Sequence, residues 1–147
     1  MALGSNLGDR RHYLEQAILE IGRCPGVQFL ERSPVLETEP LVVVDQPKFL
    51  NIVILIRCDH SPVDLLAFTQ NVERKLGRVK TANKGPRIID VDILSFSTQT
   101  IATDELVIPH QSVGERKYIQ ELFESMGHQK EFQAILELKT LNKDAPA

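Results

Sequence analysis

Asp90 and Asp92 are separated by a single residue inside the apolar run Ile88-Ile89-Asp90-Val91-Asp92-Ile93. In an extended strand, side chains two positions apart share a face, so the two carboxylates meet one space while Ile89, Val91 and Ile93 take the other side. Such a pair suits a hard divalent cation, and magnesium commonly takes one or two carboxylates together with phosphate oxygens and water. An exposed strand face carrying two solvated acids would give the same pattern. The segment upstream argues against that reading: from Arg74 to Ile89 it holds Arg74, Lys75, Arg78, Lys80, Lys84 and Arg87 and no acid. Arg74 and Lys75 are explained as the basic end of a helix, complementing its dipole; the other four are not. Cations for phosphate oxygens beside carboxylates for a metal are what a polyphosphate with bound magnesium requires.

Other chemistries find little support. Gly4-Ser5-Asn6-Leu7-Gly8 lacks the Lys-Ser/Thr of a phosphate-binding P-loop and reads as a strand-to-helix turn. There is no nucleophile elbow and no metalloprotease helix. His110, after Pro109, could donate to a phosphate or be an ordinary loop residue, and His12, His60 and His128 carry no signal. Cys24 and Cys58 give neither a disulfide framework nor a zinc cluster, which fits a reducing, cytoplasmic setting. A net charge of −3 excludes a general nucleic-acid binder. The longest apolar run, Ile52 to Ile56, is far short of the roughly 20 residues of a membrane span. Neither a nucleic acid nor a membrane is expected as a partner.

The elements that must position these residues follow from periodicity and punctuation. The chain's 147 residues suit one domain with its own core. Asp9 caps a helix ending near Arg23, with Tyr13 or Leu14, Ala17, Ile18 and Ile21 at helical spacing. Pro25-Gly26 ends it, and Val27 to Val35 reads as a strand. Glu37 to Lys48, with Pro40 and Pro47, reads as a long loop. Leu50 to Arg57 has the continuous apolar character of a central strand. Ser61 caps a second helix with Pro62 in its first turn, a stripe of Leu65, Leu66, Thr69, Val72 and Leu76, and Gly77 to close it. Ile88 to Phe96 is a strand, Thr98 to Val107 a short hairpin, and Glu115–Ser125 and Glu131–Leu138 are helices. With a short strand before Gly4, the order is that of a ferredoxin-like α+β sandwich, a mainly antiparallel sheet with helices packed on it. This architecture hosts enzymes, nucleotide-sensing modules and RNA binders alike; the last would need stacking aromatics on the central strands, and Leu50 to Ile56 offers none.

Taken in order along the chain, several strings resemble one family, the 6-hydroxymethyl-7,8-dihydropterin pyrophosphokinases of folate biosynthesis. They are Leu3-Gly4-Ser5-Asn6-Leu7-Gly8, Asp45-Gln46-Pro47 with Phe49-Leu50-Asn51, Gly85-Pro86-Arg87-Ile88-Ile89-Asp90-Val91-Asp92-Ile93, and Val107-Ile108-Pro109-His110 with Arg116. The resemblance implies transfer of the β,γ-pyrophosphoryl group of ATP to the pterin hydroxymethyl oxygen, with AMP released. It implies that Asp90 and Asp92 bind two magnesium ions and that Arg78 and Arg87 act in catalysis. It assigns the ATP side to Gln70, Glu73, Arg78, Lys80, Arg87, Ile93, His110 and Arg116, and the pterin side to Gly4, Thr38, Leu41, Phe49, Asn51 and Tyr118. Phe49 and Tyr118 offer flat faces for a bicyclic ring, and Asn51 offers donors and an acceptor for its edge. Departures from the family pattern fall at Glu39, Lys80, Lys84 and Gln111. The short first strand and short C-terminal region fit a domain, residues 1–147, trimmed at its N-terminus or excised from a larger folate enzyme such as a fusion to dihydropteroate synthase. The loops Glu37–Lys48 and Val79–Gly85 are expected to close over the substrates.

Overall fold

A continuous apolar stretch of strand length is stable where both of its faces are covered, and Leu50 to Ile54 follow that rule. They form the buried half of β4 (Phe49–Cys58) in a computed structural model that describes residues 1–40, 45–79 and 86–143. Along one side β4 pairs with β2 (Val27–Arg32) and then β3 (Leu36–Thr38); along the other it pairs with β1 (Ala2–Ser5). The free edge of β1 takes β5 (Asp90–Asp92), giving the all-antiparallel order β2-β4-β1-β5. With α1 (Arg10–Arg23) following β1 and α2 (Pro62–Lys75) following β4, this is the split βαβ arrangement of the ferredoxin-like α+β fold anticipated from the element order.

Two local expectations change. The loop placed at Glu37 to Lys48 begins as strand β3, because the start of β4 has backbone groups on that side which need partners. Residues 41–44 of that loop lie outside the described residues, as do residues 80–85, so its proposed closure and that of Val79–Gly85 are not described. The strand placed at Ile88 to Phe96 is only Asp90–Asp92, since these alone find a ladder partner in β1. The hairpin after it is β6 (Ile101–Ala102) with β7 (Val107–Ile108).

The helices cover both faces. Asp9 accepts the His12 backbone N–H at 3.2 Å and Ser61 Oγ that of Asp64 at 3.2 Å, starting α1 and α2 where expected. These two helices bury Leu14, Ala17, Ile21, Leu65 and Val72 against Leu3, Leu50, Ile52, Ile54 and Val91. On the opposite face, α3 (Lys117–Ser125) and α4 (Gln129–Lys143) bury Ile119, Leu122, Phe132 and Ile135 against Ala2, Val53 and Leu94. Among the described residues no helix is long and apolar enough to cross a membrane.

Candidate active site

Residues directly opposite one another in an antiparallel ladder point to the same face. Asn51, Gly4 and Asp90 are consecutive cross-strand partners, and Val53, Ala2 and Asp92 form the neighbouring row. Thr38, opposite Phe49, extends the same face. The α3–α4 layer packs on Val53 and Ala2 and on Leu36 opposite Asn51, beside the Asn51–Gly4–Asp90 row. A cavity opens there, walled by Gly4, Thr38, Glu39, Gln46, Phe49, Asn51, Arg87, Asp90, Asp92, Arg116 and Tyr118.

Its floor is tightly fitted. A Cβ on Gly4 would lie 2.9 Å from Asn51 Oδ1, so a side chain here requires the Asn51 amide to turn. Asn51 Nδ2 donates to Thr38 Oγ1 at 2.6 Å. That leaves Asn51 Oδ1 with acceptor capacity over Gly4 and the Thr38 hydroxyl with a proton to donate.

The carboxylates are held by a charged network. Glu73, only 8% exposed on α2, accepts the Val91 backbone N–H at 3.0 Å and also pairs with Arg78. Arg78 Nη1 in turn donates to Asp90 Oδ1 at 3.0 Å, while Arg87 Nε stands 3.7 Å from Asp90 Oδ2. Burial raises the Glu73 carboxyl above its ordinary range despite Arg78 and Val91. Burial, and then the neighbouring Asp90 charge, push the Asp92 carboxyl up to about 7. His110 Nε2 lies 3.6 Å from Asp92 Oδ1. Because the Ser112 backbone N–H donates to His110 Nδ1 at 3.0 Å, Nδ1 is the acceptor and Nε2 carries the proton that faces Asp92.

Aromatic and cationic groups close the far wall. Arg116 Nη1 donates to the Tyr118 hydroxyl at 3.3 Å, both reaching in from the start of α3, and burial raises the Tyr118 phenol. The Arg87 guanidinium lies 5.3 Å from the centroid of the Phe49 ring, and its Nε is buried without a hydrogen-bond partner.

Nine residues singled out in the sequence, Gly4, Thr38, Phe49, Asn51, Arg87, Asp90, Asp92, Arg116 and Tyr118, therefore line one cavity. Glu73, Arg78 and His110 join it through their contacts with Val91, Asp90 and Asp92. Gln70 is exposed on α2 and is not part of the wall. Ile93 is 3% exposed and packs in the core on the opposite face of the sheet. Leu41 and Lys80 lie outside the described residues, as does Lys84. Glu39, Gln46 and Asn6 carry no site role in the sequence reading, and Glu39 lines the wall. Gln46 is part of the wall, and Asn6, 1% exposed, donates to Gln46 Oε1 at 2.8 Å and Pro47 O at 3.0 Å while accepting the Arg87 N–H at 2.9 Å. Asn6 stands in the Leu3–Gly8 string that carries the resemblance, but its place between two glycines suits an ordinary turn equally well.

The donor set fits magnesium arriving with phosphate. Among the described residues no cluster of three His, Cys, Asp or Glu stands ready to hold a metal. Asp90 and Asp92 offer two carboxylates on one strand, a number magnesium takes when phosphate oxygens and water complete its shell. The Arg87 Nε–H, which faces Asp90 at 3.7 Å without a hydrogen bond, fits an anionic oxygen.

Comparison with known proteins agrees with this geometry. Residues 1–126 match the family described as 7,8-dihydro-6-hydroxymethylpterin-pyrophosphokinase (HPPK). The chain is 40% identical over 119 residues to the 2-amino-4-hydroxy-6-hydroxymethyldihydropteridine pyrophosphokinase of Bacillus subtilis, covering 81% of this chain and 71% of that protein. It is 39% identical over 119 residues to the folic acid synthesis protein fol1 of Schizosaccharomyces pombe, covering 81% of this chain but 16% of that one. It is 32% identical over 138 residues to the bifunctional protein FolKE of Lactococcus lactis subsp. lactis, covering 93% of this chain and 40% of that one. On the combined strength of the family match and these identities, the chain belongs to the 7,8-dihydro-6-hydroxymethylpterin-pyrophosphokinase family, the pyrophosphokinases of folate synthesis.

Proposed function

We propose that the open end of the Asp90–Asp92 face is where the β,γ-pyrophosphoryl group of ATP passes to the hydroxymethyl oxygen of 6-hydroxymethyl-7,8-dihydropterin, releasing AMP. The carrying observation is the row Asn51–Gly4–Asp90, which sets a hydrogen-bonding floor directly beside the paired carboxylates. Asp90 and Asp92 would hold the magnesium, two ions in all, brought with the nucleotide. Bound there, magnesium supplies neutralisation of phosphate charge. Arg78, Arg87 and Arg116 take phosphate oxygens, with Lys80 from the neighbouring loop, and the His110 Nε2 proton faces the same space. Gln70 and Glu73 belong to the nucleotide side, Glu73 by fixing Arg78 and the Asp90–Asp92 strand. Phe49 and Tyr118 flank the pterin ring, Asn51 Oδ1 accepts from its edge, Thr38 donates to it, and Gly4 and Leu41 shape its pocket. Pyrophosphoryl transfer asks little covalent work of the protein, so positioning and charge stabilisation account for the rate.

Residues 1–147 then act as a single pterin pyrophosphokinase domain. The free thiols of Cys24 and Cys58 fit the reducing cytoplasm. The bifunctional names of several relatives support fusion to, or association with, another folate-pathway enzyme. The test is AMP formation from ATP and the pterin, with and without magnesium. Asp90→Asn and Asp92→Asn are each expected to lower turnover by about 100-fold or more while leaving the circular dichroism spectrum unchanged. Full activity in both variants would refute the metal assignment.

A further inference from the structure

Asp90 already has cations on both of its oxygens. Arg78 Nη1 donates to Oδ1 at 3.0 Å and Arg87 Nε faces Oδ2 at 3.7 Å. Arg78 does not reach Asp90 by chance. The Glu73 carboxylate that anchors the Asp90–Asp92 strand through the Val91 N–H also grips the Arg78 guanidinium and aims it across at Asp90. The Arg78 side chain is nevertheless 31% exposed, whereas that of Glu73 is 10% exposed. The arginine has an outward path and its anchor does not.

Resting on the reading of Asp90 and Asp92 as the metal-and-nucleotide site, we propose that Arg78 is a resident counter-ion of Asp90: it excludes a bare divalent cation and is drawn off by the polyphosphate, so that metal enters only with nucleotide. A guanidinium and a divalent cation cannot share Asp90 Oδ1, because like charges a few ångströms apart repel strongly in a partly buried site. Pulling Arg78 away for a bare cation would leave it with one carboxylate in place of two. A polyphosphate removes that penalty by offering charge-assisted, bidentate oxygens to the same planar fork. Arg78 then exchanges one carboxylate oxygen for phosphate oxygens while Glu73 keeps hold of it, and Asp90 is released to the metal. Metal and nucleotide thereby favour each other's binding, and the coupling is reciprocal.

The test is a Mn2+ titration followed by electron paramagnetic resonance of the free ion, on wild type, Arg78→Gln and Arg78→Lys. Each protein is titrated alone and with α,β-methylene ATP, which cannot release AMP. Arg78→Gln is expected to tighten Mn2+ binding to the free protein at least tenfold, and to leave it unchanged or weaken it once the analogue is bound. Arg78→Lys, which keeps the charge, is expected to hold Mn2+ near the weak wild-type level and guards against a variant that merely misfolds. Equal tightening in both states would reduce the effect to net charge and overturn the proposal, as would unchanged affinity in the free Arg78→Gln protein. If wild type binds the analogue yet takes up no Mn2+ with it, the metal-site reading itself fails, an outcome distinct from failure of the counter-ion role alone.

Discussion

Gly4 is the residue on which the two halves of the site touch. Across the ladder it has Asp90 on one side and Asn51 on the other, and its missing side chain is the space that Asn51 Oδ1 overlooks. Gly4→Ala would bring a methyl to 2.9 Å from that oxygen, closer than such contacts allow, so the Asn51 amide must turn and its bond to Thr38 must break. With Asn51 on the pterin side, as proposed, the expected result is a KM for the pterin raised about tenfold, the worth of one hydrogen bond, with the KM for ATP little changed. Steady-state kinetics with each substrate varied in turn checks this. An equal rise in both KM values would place Gly4 in a general structural role.

Between elements, the tie that stands out joins the α3–α4 turn to the sheet edge. His128 Nε2 bonds Glu31 Oε2 at 2.8 Å, and its Nδ1 lies 3.5 Å from Glu131 of α4. The hydrogen bond to Glu31 and the charges of Glu31 and Glu131 raise the histidine above its ordinary value of 6.5. A group made more basic by folding contributes stability that is complete below its unfolded pKa and is lost as pH rises through its folded one. This part of the stability is therefore present at pH 6 and fades toward pH 8. His128→Gln is expected to lower the thermal midpoint by a few degrees at pH 6 and by less at pH 8, as read by thermal unfolding at the two pH values. A deficit that did not depend on pH would mean that the imidazolium charge contributes nothing.

For the molecule as a whole, the sheet separates stability from site geometry. Leu14 is fully buried between α1 and the sheet, on the face away from the cavity. Phe132 is 4% exposed in the α3–α4 layer, where it lies 5.3 Å from the Phe123 ring. Truncating either should cost about 2–5 kcal/mol by loss of buried area and creation of a cavity. Only Phe132→Ala loosens α3, which carries Arg116 and Tyr118 into the site. Urea unfolding should therefore show comparable losses for Leu14→Ala and Phe132→Ala, while substrate affinity well below the melting temperature should fall in Phe132→Ala alone. Weakened binding in both would show that the two faces are mechanically coupled.

Much of this was legible along the chain because it depends on short-range periodicity. The period of two put Asp90 and Asp92 on one face, Asp9 and Ser61 declared the starts of α1 and α2, and the apolar run from Leu50 named the central strand. The same periodicity separates Ile93 from the two aspartates, and the structure places it in the core. What the chain could not declare was register and covering, since both depend on residues far apart in sequence. Nothing local says that Asn51, Gly4 and Asp90 fall into one row, that the start of α3 brings Arg116 and Tyr118 to the same cavity, or that Asn6 ties Arg87 to the loop at Gln46. Nor could spacing reveal that Glu73 holds Arg78 against Asp90. The sequence determined which groups could handle a metal and phosphate; the tertiary structure decided which of them meet, because long-range strand pairing and the packing of the two terminal helices set the shape of the cavity between them.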